Sequence, residues 1–98
     1  MLVKIHNSCR IIAAICDKEL FGKKFEEGNK QIDLTTTFFK GEEKTEQEVQ
    51  EIIEDLRRED ATFNIVGRKA CRIAKQAGLI DDNSILFIEG VPIGLVLM

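Results

Sequence analysis

The chain has 98 residues, a formal net charge of −3, three Cys, one His and neither Trp nor Tyr. Surface scaling predicts roughly 5,700 Å² of folded accessible surface and burial of about 65% of the unfolded surface, enough for one modest core, so residues 1–98 read as a single domain. Leu, Ile, Val and Phe supply 32 residues and the longest unbroken apolar run is Ile11 to Cys16, which excludes both a disordered chain and a helical membrane span of roughly 18 residues.

Leu2 to Ile5 reads as a strand and not as the apolar stretch of a signal peptide. His6-Asn7-Ser8 is turn-forming. Arg10 to Cys16 follows as a second strand, buried on both faces because Ile11 through Cys16 shows no polar alternation. Asp17 to Gly22 predicts one helical turn, capped by Asp17 and stopped by Gly22. Lys23 to Glu27 is a short strand, and Gly28-Asn29 tolerates the positive φ of a two-residue hairpin turn. Beyond it, Ile32, Leu34, Thr36 and Phe38 alternate with Gln31, Asp33, Thr35 and Thr37, a period of two that predicts a strand through Phe38.

Thr45-Glu46-Gln47-Glu48 matches the capping box, and Val49, Ile52, Ile53 and Leu56 continue it as an amphipathic helix from Thr45 to Glu59. Glu54 lies at helical spacing from Arg57 and Arg58. Thr62 to Val66 is a strand. Gly67 opens a second helix, Arg68 to Ala77, with Ala70, Ile73, Ala74 and Ala77 inward and Gly78 as its stop. Asp81 to Ser84 is a loop, Ile85 to Ile88 a strand, Gly90-Val91-Pro92 a turn and Ile93 to Met98 a last strand. Thr62 to Ile88 is then a strand–helix–strand unit, with parallel strands and a right-handed crossover if both join one sheet. The expected fold class is α+β: two-layer, with a mixed, mostly antiparallel sheet of five to seven strands covered by two helices.

The net charge hides a segregation. Residues 1–41 carry +2, residues 42–60 carry −6, residues 61–78 carry +4 and residues 79–98 carry −3. These blocks exclude a uniform polyanion binder but fit a bipolar molecule with one basic face. Arg68, Lys69, Arg72 and Lys75 share the outward side of the second helix, and no acid interrupts Ala61 to Ile80. The plain reading is a solvated helix face. The sharper one is an anionic partner, since a solubilising face mixes signs. Lys23 and Lys24 would supplement such a surface. The run from Asn64 to Lys69 also passes from strand through Gly to helix, a start whose free N–H groups attract anions. Two cations in that first turn oppose the helix dipole, and a bound phosphate would offset them. With neither G-x-G-x-x-G nor G-x-x-x-x-G-K-[ST] present, close packing explains Gly67 equally well.

Cys9, Cys16 and Cys71 include no C-x-x-C pair. Three reduced cysteines in a cytoplasmic protein are expected, with no cofactor and no metal. His6 and Cys9 suggest a thiol–imidazole pair or a partial metal site; the plain reading is an exposed His and a buried Cys. Cys16 and Asp17 fall at the far end of the same hairpin, about 20 Å away by strand rise. No spacing among Asp17, Glu19, Asp33 and Glu89 enforces a converging carboxylate pair.

Cys16 to Lys23, Asn64 to Gly67, Ala77 to Asp81 and Gly90 to Pro92, taken in order, resemble the signature blocks of a small archaeal family known as domain of unknown function 424. The resemblance covers nearly the whole chain. It implies a small cytosolic archaeal protein, with no assigned activity or catalytic residues and an association with information processing and translation. Relatives are expected often to carry acids where Arg68 and Lys69 stand, which sets the basic stripe apart.

The first expectation is therefore a non-enzymatic module that binds RNA or a ribonucleoprotein through Arg68, Lys69, Arg72 and Lys75. The second is a small enzyme or ligand-binding protein with a pocket near Asp17, Asn64 and Gly67. The third is a structural module, monomeric or paired as a homodimer through the apolar C-terminal strand. No membrane partner is expected.

Overall fold

The computed structural model describes residues 1–7 and 9–97. The expected turn residue Ser8 and the expected strand end at Met98 lie outside the described residues. β1 (Leu2–Asn7) and β2 (Ile11–Cys16) form an antiparallel hairpin, so His6 and Asn7 belong to the strand and not to the turn. After a 3₁₀ turn at Lys18–Leu20, β3 (Lys24–Glu27) and β4 (Lys30–Asp33) make a separate two-stranded sheet. A 3₁₀ turn at Thr37–Phe39 leads to β5 (Glu42–Glu43), α1 (Glu46–Arg57), β6 (Thr62–Val66) and α2 (Arg68–Gln76). A third 3₁₀ turn, Asp82–Ser84, precedes β7 (Ile85–Ile88) and β8 (Val91–Val96).

The main sheet has six strands in the order β5-β1-β2-β6-β8-β7. β2 and β6 are parallel, and every other neighbouring pair is antiparallel. The fold is α+β with a mixed, mostly antiparallel sheet and two helices. β6 and β7 run the same way, but β8 lies between them and opposes both. The strand–helix–strand unit therefore spans a strand and does not join neighbours.

The sheet divides the core. Ala13, Ile15, Phe63 and Ile65 point to the helices, where they meet Val49 and Ile53 of α1 and Ile73 and Ala74 of α2. Ala14, Cys16 and Val66 point the other way, against Leu34 and Phe39 with Phe25 and Ile32 of the hairpin alongside. Successive strand side chains alternate faces, so covering both sides of β2 explains its lack of polar residues. The folded surface is 5848 Å², close to the value expected from length. Among the described residues, no helix is long and apolar enough to cross a membrane.

Three local expectations change. The alternation from Gln31 to Phe38 does not make one strand, because β4 ends at Asp33. The Asp33 carboxylate accepts the Thr35 N–H at 2.8 Å, and Thr36 Oγ1 accepts the Phe38 N–H at 3.4 Å. Short polar side chains that bond nearby backbone compete with a sheet ladder, and the resulting bend sends Leu34 and Phe39 into the core. The final turn is Glu89-Gly90, both with positive φ; Val91 and Pro92 therefore open β8. On α1 the capping box forms in both directions, Thr45 N–H to Glu48 Oε1 at 2.9 Å and Glu48 N–H to Thr45 Oγ1 at 3.1 Å. Neither Arg57 nor Arg58 pairs with Glu54, which accepts from Gln50: Arg58 pairs with Asp55 at 3.3 Å, while Arg57 leaves its own helix and donates to the Ala77 carbonyl at 2.9 Å.

Candidate functional site

β2 and β6 run parallel into the start of α2, and their last residues meet there. Asp17 N–H continues the β2–β6 ladder by donating to the Val66 carbonyl at 3.0 Å. Its side chain is 3% exposed. It forms no side-chain cap on its own 3₁₀ turn, contrary to the expected local capping. Instead Oδ2 accepts the Lys69 N–H at 3.0 Å and Oδ1 accepts the Ala70 N–H at 2.9 Å. These are the amides that an N-cap side chain normally satisfies. Gly67 occupies the N-cap position with φ +116, and a Cβ there would lie 2.4 Å from Asp17 Cγ. Gly67 is thus required both by its backbone and by the carboxylate packed on it. Asp17 supplies the negative charge that the dipole and the adjoining Arg68 and Lys69 call for, and it consumes two of the donors a phosphate would use at this helix start.

A cleft of about 270 Å³ opens beside this junction. Leu20, Val91 and Pro92 give it apolar walls, Asp17 and Glu19 lie along one side, and Arg68 and Lys69 stand at its edge. The structure therefore brings Asp17 and Gly67 together. Asn64 does not line the cleft: it pairs in register with Ala14 and Leu95 and, lying between Phe63 and Ile65, points away from the helices. Leu20, Val91 and Pro92 were not legible as a site, because a turn and a strand end become walls only through tertiary contact.

The four cations of α2 do not form a free stripe. Lys69 Nζ lies 3.9 Å from Glu19, Arg72 pairs with Glu46, and Lys75 pairs with Asp82. Acids from three other elements thus cross over to a helix that has none of its own. Arg68 differs: its guanidinium donates to the Gly90 carbonyl at 3.3 Å and has no carboxylate partner among the described residues. Lys24 pairs with Glu26 at 3.1 Å on the separate hairpin. Neither Lys23 nor Lys24 lines the cleft.

The remaining chemistry-bearing groups do not line the cleft. His6 stacks on Phe38 at a centroid distance of 4.6 Å, and its Nε2 is 2.9 Å from the Phe38 carbonyl. Cys9 is exposed, and Cys16 and Cys71 are buried and unbridged. Burial, reinforced by the Asp17 charge, pushes each of the two buried thiols up to about 11. Cys16 and Asp17 lie at the opposite end of the hairpin from His6 and Cys9, and no group of three or more His, Cys, Asp or Glu among the described residues could hold a metal.

A solved structure resembles this one closely. It is an uncharacterized conserved protein from Methanopyrus kandleri, 22% identical, with a TM-score of 0.82 over 99% of this chain and 92% of that one. At that identity the likeness concerns the fold. No curated protein matches the chain in sequence. Residues 6–97 match the family described as protein of unknown function (DUF424), and with nearly the whole chain matched, this protein belongs to that family.

Proposed function

We propose that the protein is a non-enzymatic cytoplasmic module that binds single-stranded RNA, free or within a ribonucleoprotein, with Arg68 and Lys69 holding phosphates at the edge of the Asp17 cleft. The observation that carries this reading is the setting of those two cations. They flank apolar walls on which a base can lie. Arg68 forms no ion pair among the described residues, and Lys69 lies 3.9 Å from Glu19, the long limit for an ion pair. Arg72 and Lys75 are more tightly engaged, so the basic end of α2 and not its whole length is the contact. Binding without catalysis is supported by the chemistry of the neighbourhood. Both Asp17 oxygens accept backbone amides, and thiols raised to about 11 remain protonated at neutral pH. Three unpaired cysteines fit a reducing cytoplasm.

The test is fluorescence polarisation with a labelled single-stranded RNA of about ten nucleotides, comparing the wild type with Arg68→Gln/Lys69→Gln. Losing two phosphate contacts flattens the plot of log K against log[salt] by about 1.4. Referred to 1 M, that is roughly a 60-fold weakening at 50 mM salt. Equal binding by the double variant contradicts the reading. A second reading is favoured by the cleft volume of about 270 Å³, near the low end of small-molecule sites: a small amphipathic anion as the ligand. A nucleoside monophosphate that binds as tightly as the longer RNA would select it.

A further inference from the structure

The cleft at Arg68 is the end of a longer surface feature. It shares Lys69 with a second cleft of about 290 Å³, where Lys69 and Arg72 face Lys44. That cleft shares Lys44 with a third, of about 490 Å³, edged by Lys4 and Lys40 over Val3, Ile5 and Ile52. Two lysines thus link three depressions into one track, which runs from the start of α2, past the start of α1, to the free edge of β1.

The charges along this track are unequal. Glu19 faces Lys69, Glu46 pairs with Arg72, and Glu42 pairs with Lys44 at 3.1 Å. Each of these three acids is matched by one cation, while Asp17, which also lines the first cleft, accepts backbone amides. Lys4, Lys40 and Arg68 remain without a carboxylate partner among the described residues; cations outnumber acids in the second and third clefts, whereas the first is lined by two of each. The far arm is held in place by backbone. Gly41 packs so closely on β1 that a Cβ would lie 2.0 Å from the Val3 carbonyl oxygen. Lys40 is therefore fixed beside the segment of β1 that carries Lys4, and β5 covers that edge only opposite Leu2 and Val3.

We propose that this track is the path of a single-stranded RNA, with Lys4, Lys40 and Lys44 forming a second phosphate-binding arm remote from α2. A linear polyanion fits a linear series of cations interleaved with apolar floor; a compact anion would occupy one cleft alone. The proposal rests on the RNA reading above and extends it from one cleft to three.

The experiment compares Lys4→Gln/Lys40→Gln with the wild type on two labelled RNAs, one of about three nucleotides and one of about ten. Both side chains are exposed, so the variant keeps its fold, and an unchanged melting temperature verifies this. The short RNA should bind the variant and the wild type alike, since it fills only the Arg68 end. The long RNA should lose roughly 60-fold at 50 mM salt, and its salt slope should flatten by about 1.4. If the variant binds the long RNA as tightly as the wild type while Arg68→Gln/Lys69→Gln loses it, the track is wrong and the single-cleft reading stands. If neither variant changes binding, both fail.

Discussion

Asp17 and Ala70 are 53 residues apart in the chain and joined by a 2.9 Å hydrogen bond that caps a helix from the end of a distant strand. The other end of α2 is treated the same way, since Arg57 of α1 donates to the Ala77 carbonyl. An anion at the N-terminus and a cation at the C-terminus complement the dipole, and both come from outside the helix. Asp17→Ala would leave the Lys69 and Ala70 amides unsatisfied. It is expected to cost about 2–3 kcal/mol, a fall of roughly 10–20 °C in Tm, with Asp17→Asn costing less. Gly67→Ala should be severe in the wild type, through both its φ and its collision with Asp17. Adding it to Asp17→Ala should cost less than the sum of the two, because the contacts at 2.4 and 2.5 Å have gone while the 2.8 Å contact with the residue-17 Cβ and the φ strain remain. Thermal unfolding of the four-member cycle checks both expectations.

Much of this architecture is legible in the residues themselves. The capping box at Thr45 and the Val49–Ile53 stripe define α1, and the unbroken run Ile11 to Cys16 announces a strand covered on both faces. What fails is local periodicity that side chains override, as at Asp33 and Thr36, where bonds to nearby backbone end the strand. The charge map fails for a different reason. Arg72 and Lys75 read as a free basic stripe because their partners, Glu46 and Asp82, lie on other elements. The role of Asp17 is invisible for the same cause, since nothing in the local sequence joins it to residues 69 and 70.

The buried thiols set an alkaline limit. Each has its folded pKa raised to about 11 from an ordinary value of 9.0. Their contribution is therefore full below pH 9 and is lost as pH rises toward 11, while the unfolded thiols ionise and the folded ones do not. The slope is about 1.4 kcal/mol per pH unit for each thiol. Denaturant melts of Cys16→Ala and Cys71→Ala should each decline less steeply over that interval than the wild type. At pH 8, a thiol reagent should modify Cys9 quickly and the other two only on unfolding.

Glu46 and Asp82 restrain the middle and end of the α2 stripe. Exposed ion pairs contribute less than about 1 kcal/mol, so Glu46→Gln/Asp82→Asn should hardly change the melting temperature. It should strengthen RNA binding and steepen the salt slope, because Arg72 and Lys75 are released. Weaker binding by this variant would show that those acids contact the ligand's partner groups and do not mask cations.

β8 is bonded to β6 on one side and, from Val91 to Gly94, to β7 on the other, which leaves only Leu95 and Val96 of this strand without a β7 partner for edge-to-edge pairing with a second copy. The edge strand β7 offers exposed apolar side chains for such pairing, Leu86 at 46% and Phe87 at 51% exposed. Exposed apolar edge residues promote association, and edge lysines suppress it. Leu86→Lys/Phe87→Lys is expected to keep the fold and to reduce concentration-dependent self-association measured by sedimentation.

The most direct measurement is a map of backbone amide shifts in a ¹⁵N-labelled sample titrated with the ten-nucleotide RNA. The account predicts perturbations at Arg68, Lys69, Gly90 and Val91 around the Asp17 cleft, continuing through Lys44 to Lys40 and Lys4. Shifts confined to the hairpin around Lys23 and Lys24, or to β7, or no shifts at all at about 50 mM salt, would contradict it.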